Sequence, residues 1–586
     1  MWGVAQLARR NAAHAALLTP LLADGDAEIR AQAAKLLGDL RYGAAAAQVL
    51  PLLKDPAPRP RFFAAEALGR IAYTPATAPI VAMLAANDDK DALLRHAGAL
   101  ALSRIGDAAA LANLSTHPST GVRIAAIVAL RRMRHPDVAR FVADRDEQVV
   151  QEAARAINDD GGIATALPAL AATLAEARFT SEPLLRRAIS ANLKVGSADA
   201  VARLAAFADA AARPERLRVE AIAALGVMSS PSPMDRVDGI FLEQSKPGDT
   251  AAAQAAVLKL LQGGAAAEKS TALRVALAEA AGRLEVQGAA PILLAQLKGD
   301  SAAYVRVASL RALQALKIKN MDEAMKLAIA DGNADVRRAA LTILPTLPLT
   351  DAAKVDHLSS VIRNGSVVDQ QAGFDVLGTL KSSEAEKALA GFFDQLSTGK
   401  LAAAVQLDLV NAMQANGAPS LQSMLEGYQK SRKADSLVLA FRDALLAGGN
   451  PQRGRAVFIE HPAAACTRCH TVRNAGSDVG PNLGGVAARL SRDQILQSLL
   501  DPNAVIAPGF GTVGLTLKNG QRVDGTLRAE TATEVVVMAG TPPAEQRIAK
   551  AEIAARTNPV SAMPPVGAIL KPRELRDVIA YLMTLR

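Results

Sequence analysis

At 586 residues the chain is too long for one hydrophobic core, which leaves two or more domains or a repeat array. Half of it is apolar but only 3% is aromatic, with a single Trp; a load of Ala, Leu and Val suits closely packed helices and speaks against sandwiches and β-propellers. The net charge of +9 is spread along the chain rather than gathered into runs, so it gives no nucleic-acid signature, and two cysteines close together exclude a disulfide framework.

No stretch approaches the roughly 18 to 20 apolar residues a membrane span needs. The first 25 residues lack the apolar core and small-residue cleavage site of a signal peptide, and read as repeat helices. From the start to about Lys433 one phrase recurs: an aliphatic residue, usually Arg, then small and apolar residues at helical spacing, often closed by Gly. Ile29-Arg30 to Gly38, Arg61 to Gly69, Leu217-Arg218 to Gly226 and Leu273-Arg274 to Gly282 are examples, with Arg95, Arg123, Arg306 and Arg337 in register. Apolar residues fall at i, i+3, i+4 and i+7 in each unit, and a second amphipathic run follows, so each unit is predicted to be a helical hairpin. One hairpin cannot bury its apolar faces alone; stacking into a right-handed superhelix with a concave surface is expected. The period resembles the short HEAT-like repeats over residues 1–433, with about eleven to thirteen units. An irregular or longer unit is expected between Arg218 and Arg274, where PSPMDR and QGGAAAEK interrupt the pattern. Placing residues 2–7 on 35–40 puts the expected Arg before Met1, which predicts that the first repeat is truncated.

Residues 434–449 read as a linker ending in Gly448-Gly449-Asn450-Pro451, and 450–586 as a separate domain. Asn450 can cap a helix with Pro451 at its first position. Ser491-Arg492-Asp493-Gln494 is a capping box ahead of Ile495, Leu496 and Leu499, and a third helix opens at Pro572. Between them Cys466-Thr467-Arg468-Cys469-His470 has the spacing for covalent haem: two thiols can reach both vinyl groups of one porphyrin, and the next imidazole projects onto the iron. Zinc would need about four ligands, and the domain offers only these cysteines and His461 besides His470. A thioredoxin-like pair would need a βαβ pattern that is absent.

The stretch CHTVRNAGSDVGPNL resembles class I cytochromes c. That resemblance implies that the Pro481 carbonyl accepts a hydrogen bond from the proximal His470 imidazole. It also implies a distal axial Met in a loop before the last helix, the position of Met563; Met538, Met583 and His461 are the other candidates. His/Met ligation suits electron transfer rather than oxygen chemistry. The interval between His470 and Met563 predicts a β-rich insert at about 510–556. Its strands are 512–517, 521–527, 534–539, 546–548 and 550–555, with Asn519-Gly520 as a type I′ turn. It reads as a small SH3- or Sm-like module for docking a partner or shielding a haem edge, or as a spacer.

The fold class expected is therefore mainly α: a HEAT-like solenoid followed by an all-α cytochrome c domain carrying a small β-rich insert. The ordered combination of repeats, the Cys-x-x-Cys-His site, Leu500-Asp501-Pro502, Lys518-Asn519-Gly520 and Pro559-Val560-Ser561-Ala562-Met563-Pro564 resembles the haem-binding C-terminal domain family of Planctomycetes- and Verrucomicrobia-type multidomain proteins. The resemblance implies one haem c on Cys466 and Cys469, iron ligands His470 and Met563, and single-electron transfer in the periplasm or another extracytoplasmic space. Members often carry a signal peptide and a propeller resembling quinoprotein sugar dehydrogenases, so a dehydrogenase is the expected redox partner, as a missing N-terminal portion or a separate chain. The other readings are the cytochrome portion of such a quinoprotein-like sugar or alcohol dehydrogenase, a haem site open enough for peroxidase-like activity, and an interaction scaffold with a redox-sensing haem.

Overall fold

A computed structural model describes residues 1–242, 246–263, 270–433, 442–473 and 475–586. The chain divides into two compact units, Met1–Ala324 and Met325–Arg586. The expected linker at 434–449 lies partly outside the described residues.

In the first unit a row of helices follows the repeat: α1 (Ala27–Asp39), α2 (Pro58–Ile71), α3 (Ala92–Ile105), α4 (Thr120–Arg132), α5 (Glu147–Asn158), α6 (Glu182–Val195), α7 (Glu215–Gly226), α8 (Thr271–Arg283) and α9 (Ala303–Ala315), with Val150 of α5 and Leu185 of α6 where the others carry the recurring Arg. Each packs on the next. The closing glycine of the phrase explains how closely. A Cβ on Gly38 would stand 2.6 Å from the Ala67 Cα, one on Gly69 2.6 Å from the Ala101 Cα, and one on Gly226 2.9 Å from the Ala280 Cα. A helix-interior glycine costs about 1 kcal/mol relative to Ala. Here it is retained because backbone meets backbone at these crossings.

The recurring Arg is equally local in purpose. Arg30 Nε and Nη2 donate to the Asp55 carboxylate at 2.7 and 3.0 Å while Nη1 donates to the Asp24 carbonyl at 2.8 Å. Arg123 repeats the arrangement with Asp144 at 2.7 Å and the His117 carbonyl at 2.8 Å. Each Arg thus ties the loop before its own helix to the loop before the next. Hydrogen bonding from Arg30 holds the Asp55 carboxyl below the usual carboxylate range. The second helix of a unit is often reduced to 3₁₀ turns, as at Leu50–Lys54 and Pro136–Ala143, each with a Pro in its first turn. After α7 the repeat is interrupted, as expected. The described residues 229–242 and 246–249 run irregularly, with a bridge between Met234 and Phe241. Most of QGGAAAEK lies outside the described residues.

The second unit continues with α10 (Ala334–Ile343), α11 (Val367–Thr379) and α12 (Ala403–Asn416). Arg337 again bridges Asp369, at 3.0 Å, and the Asp331 carbonyl, at 2.8 Å. Gly378 again packs on a neighbouring alanine, Ala412. Then come α13 (Pro451–Glu460), α14 (Arg492–Leu500), a six-stranded antiparallel sheet and α15 (Pro572–Leu582). The strands are β1 (Gly511–Leu517), β2 (Arg522–Glu530), β3 (Glu534–Ala539), β4 (Ala544–Ala549), β5 (Ile553–Arg556) and β6 (Val560–Ser561). Their order is β4-β3-β2-β1-β5, with β6 also on β1. Val513, Leu515, Val523, Val535, Val537 and Ile548 form its core, as the alternation requires.

The turn at Asn519-Gly520 differs from the type I′ expected. Thr516 pairs with Arg522, Gly520 N–H donates to the Leu517 carbonyl at 2.9 Å, and Gly520 has φ +84° while Asn519 is not at positive φ. A type I′ turn needs positive φ at both central residues, so this is a three-residue loop with a left-handed glycine. The Lys518 N–H, drawn to the Glu552 carbonyl at 2.8 Å, fixes the longer loop. Residues 550–552, expected in a strand, form a 3₁₀ turn.

Two outcomes follow. Gly69→Val should destabilise the first unit by about 1–3 kcal/mol, the range for overpacking, read as a lowered denaturant midpoint. In the sheet, Glu530 receives Arg556 and Lys550, each at 2.8 Å, and hydrogen bonds from these two draw its pKa down to about 2. A folded-state pKa below the unfolded one gives stability that is complete above the ordinary carboxylate range and lost as pH falls toward about 2. Glu530→Gln should therefore speed amide exchange in β2 and β5 at neutral pH, with the difference from wild type closing in acid and in high salt.

Candidate functional site

The site is framed by two helices. The Asn450 side chain caps α13 by accepting from the Arg453 N–H at 3.0 Å, and Pro451 occupies the first turn. Gly454 lies where α13 crosses α15: a Cβ there would stand 2.9 Å from the Tyr581 Cβ. Phe458 and Tyr581 meet beside the crossing with ring centroids 5.5 Å apart.

Helix α15 is held from its other side by charge. Arg576 and Asp408 are both fully buried and paired through two contacts of 2.7 and 3.1 Å. Arg573 donates to both oxygens of Asp375 at 2.8 Å and approaches Asp408 at 3.2 Å. The buried Asp577 accepts from the Asn450 N–H at 2.7 Å and from Arg453 Nε at 2.9 Å. None of these residues stood out as functional in the sequence. The available signal was three charged residues, 573, 576 and 577, on the face of the helix opposite Leu575, Val578 and Ile579.

From α13 the chain enters a left-handed residue, Ala465 (φ +41°), and then a 3₁₀ turn, Cys466–Arg468. The N–H groups of Cys469 and His470 both donate to the Cys466 carbonyl, at 3.1 and 2.9 Å, so the two thiols and the imidazole share one tight turn. Both cysteines are free; Cys466 is partly buried, which pushes its thiol pKa up, and Cys469 is exposed. His470 Nδ1 stands 2.8 Å from the Pro481 carbonyl. A carbonyl oxygen can only accept, so Nδ1 carries the proton and Nε2 keeps a lone pair. The segment bearing Pro481 is clamped by Gly480 N–H to the Cys469 carbonyl at 2.6 Å, Leu483 N–H to the Thr471 carbonyl at 3.0 Å and Thr471 Oγ1 to the Ser477 carbonyl at 2.7 Å. Gly480 packs tightly on the imidazole: a Cβ there would stand 3.0 Å from His470 Cε1, so the ring would have to shift.

Cys466, Cys469, His470 and Pro481 are thus brought together by backbone and side-chain hydrogen bonds. Met563 is outside that network. It is partly buried in the loop after β6, its N–H donating to Ser561 Oγ at 3.2 Å, and Ser561 N–H donates in turn to Asn503 Oδ1 at 2.8 Å. The other candidates are engaged elsewhere: His461 Nδ1 accepts from the Ala464 N–H at 3.0 Å, Met538 faces Thr526 across β3 and β2, and Met583 ends α15. Among the described residues no group of three or more His, Cys, Asp or Glu stands together as a metal-ion site. What the turn does bring together is two neighbouring free thiols and one imidazole whose Nδ1 is held by a carbonyl. Gly480→Val should push the His470 ring off Pro481. In ¹⁵N-histidine-labelled protein, the wild type should show a single Nδ1-protonated tautomer for His470 and the variant a mixture of tautomers.

Residues 15–103 match the HEAT repeats. A comparison with curated proteins yields no match. Among solved structures, the complex of CpcE and CpcF of phycocyanin lyase from Nostoc is 20% identical, with a TM-score of 0.24, covering 44% of this chain and 92% of that one. The Pds5–Scc1 complex is 10% identical, with a TM-score of 0.34, covering 74% of this chain and 76% of that one. Importin beta is 13% identical, with a TM-score of 0.35, covering 78% and 67%. At these scores the likeness assigns neither partner nor ligand. No described helix is long and apolar enough to cross a membrane. The chain is mainly helical, with HEAT repeats matched at residues 15–103 and a small antiparallel sheet toward its C-terminus.

Proposed function

We propose that residues 450–586 hold one haem c through Cys466 and Cys469, with His470 and Met563 as axial ligands. On this reading the chain passes single electrons between protein partners outside the cytoplasm, a dehydrogenase among them, and the helical repeats hold those partners. When bound, the haem supplies a one-electron couple. The observation that carries the reading is the 2.8 Å contact between His470 Nδ1 and the Pro481 carbonyl. It selects the tautomer whose Nε2 can ligate, orients the ring and raises its basicity. Gly480 keeps that contact accessible, and the shared Cys466 carbonyl keeps both thiols beside the imidazole.

Apolar side chains open to solvent add support. Val479, next to the Gly480-Pro481 segment, is 66% exposed. Val505 and Val560, on the two segments joined by Asn503 and Ser561, are 71% and 53% exposed. Exposed apolar surface of this kind suits a region that a bound group covers.

Expression in a bacterial host competent for cytochrome c maturation should give a Soret band that resists acid–acetone extraction. Cys466→Ser combined with Cys469→Ser should abolish that resistance. Met563→Ala should keep the attached haem, lose the long-wavelength Met-to-iron absorption and lower the potential. Protein with no Soret band, or with a chromophore that acid–acetone removes, would end the proposal.

A further inference from the structure

We propose that the groove between α3 and α4 of the first unit docks a short acidic segment of a partner protein, with one aliphatic side chain on the groove floor and carboxylates at Arg95, His96 and Arg132. A cavity of about 190 Å³ lies between the two helices. Its floor is aliphatic: Ala99 and Leu100 of α3, and Ile124 and Val128 of α4. Arg95 and His96 of α3 and Arg132 of α4 line it as well, and among the described residues no Asp or Glu does. His96 and Arg132 are exposed.

The arginine at this groove breaks the rule of its neighbours. Asp55 and Asp144 stand three residues ahead of α2 and α5, and each receives the register arginine of the helix before it, Arg30 or Arg123. His117 holds the same place ahead of α4. Its Nδ1 accepts from the Ser119 N–H at 3.1 Å, so the other ring nitrogen carries the proton and the imidazole keeps no lone pair for a guanidinium. Arg95 turns back instead: its Nη1 donates to both oxygens of Asp89, at 2.7 and 2.8 Å, in the loop before its own helix. Asp89 thus takes one nitrogen of Arg95, whereas Asp55 takes two of Arg30. An arginine relieved of its forward tie, on the wall of a groove, is the kind of departure that marks functional places in a regular framework.

Size and charge choose the occupant. A volume of about 190 Å³ is below the roughly 300–1,000 Å³ of small-molecule sites, and it suits a single aliphatic side chain. Leu93 lies one turn before His96 on the same face of α3 and is 68% exposed, so apolar surface continues beyond the groove along the path a chain segment would take. Arg95 and Arg132 offer planar forks that match carboxylates, and His96 adds an N–H donor between them in sequence. This surface needs no haem at Cys466, so its test is independent of the cytochrome reading.

The full-length protein would be titrated into a fluorescein-labelled peptide, Glu-Leu-Glu-Glu-Leu-Glu, and read by fluorescence anisotropy. The peptide should bind saturably at one site, and Gln-Leu-Gln-Gln-Leu-Gln should bind about tenfold more weakly or worse. Arg132→Gln should weaken the acidic peptide by about tenfold, the cost of a charge-assisted contact. Lys54→Gln, the same charge change elsewhere in the first unit, should leave it unchanged. Ala92→Trp, at an exposed position on the groove wall, should block the peptide, with far-ultraviolet circular dichroism unchanged in each variant. Four results would overturn the assignment: no saturable binding to wild type, equal binding of the two peptides, equal losses with Arg132→Gln and Lys54→Gln, or binding untouched by Ala92→Trp. Equal losses would mean attraction to net positive charge without a groove.

Discussion

The second unit depends on the ion pair between Arg576 and Asp408, both shut off from water. Removing one partner of such a pair strands a buried charge and typically costs about 3–5 kcal/mol, so α15 keeps its seat only while α12 supplies the carboxylate. Everything that frames the candidate site hangs on that seat. Helix α13 crosses α15 at Gly454, Asp577 of α15 holds the Asn450 and Arg453 entry to α13, and α13 leads into the turn of Cys466. Gln371 of α11 donates to the Ala404 carbonyl of α12 at 3.0 Å and to the Gly448 carbonyl at 2.7 Å, extending the same seat to the chain just before α13. The helices that bear the repeat pattern in this unit are therefore structural supports for the residues that follow them.

The repeats of the first unit use charge in the same manner with less burial. Arg30 and Arg123 each reach forward to an aspartate and backward to a carbonyl, so the guanidinium measures the spacing between neighbouring loops. The glycine–alanine contacts measure the spacing between neighbouring helices. Together they make the period of the sequence a physical length. Small residues allow close packing, and a planar fork with fixed donors sets the register.

Against this background of satisfied polar groups, the turn of Cys466, Cys469 and His470 stands apart. His470 is held through Nδ1 by Pro481, and its Nε2 is left open beside two free thiols. It belongs to a turn closed by local hydrogen bonds.

The sequence by itself determined what depends on near neighbours. Helical periodicity, the Asn450 cap, the reciprocal Ser491 and Gln494 bonds, the alternation of β1, and the grouping of two thiols with a histidine all follow from residues a few positions apart. Even the 2.8 Å contact between His470 and Pro481 spans only eleven residues. Only the tertiary structure decided what depends on distant partners. The pairing of Arg576 with Asp408 joins residues 168 apart, and nothing local marks an aspartate in a helix as the future counter-ion of a buried arginine. The turn at Gly520 receives a hydrogen bond from the Lys518 N–H to the Glu552 carbonyl, a residue that the pairing of β1 with β5 brings beside it. The groove between α3 and α4 arises because the two helices stop short of filling the space between them, and packing of that kind has no local sequence signature.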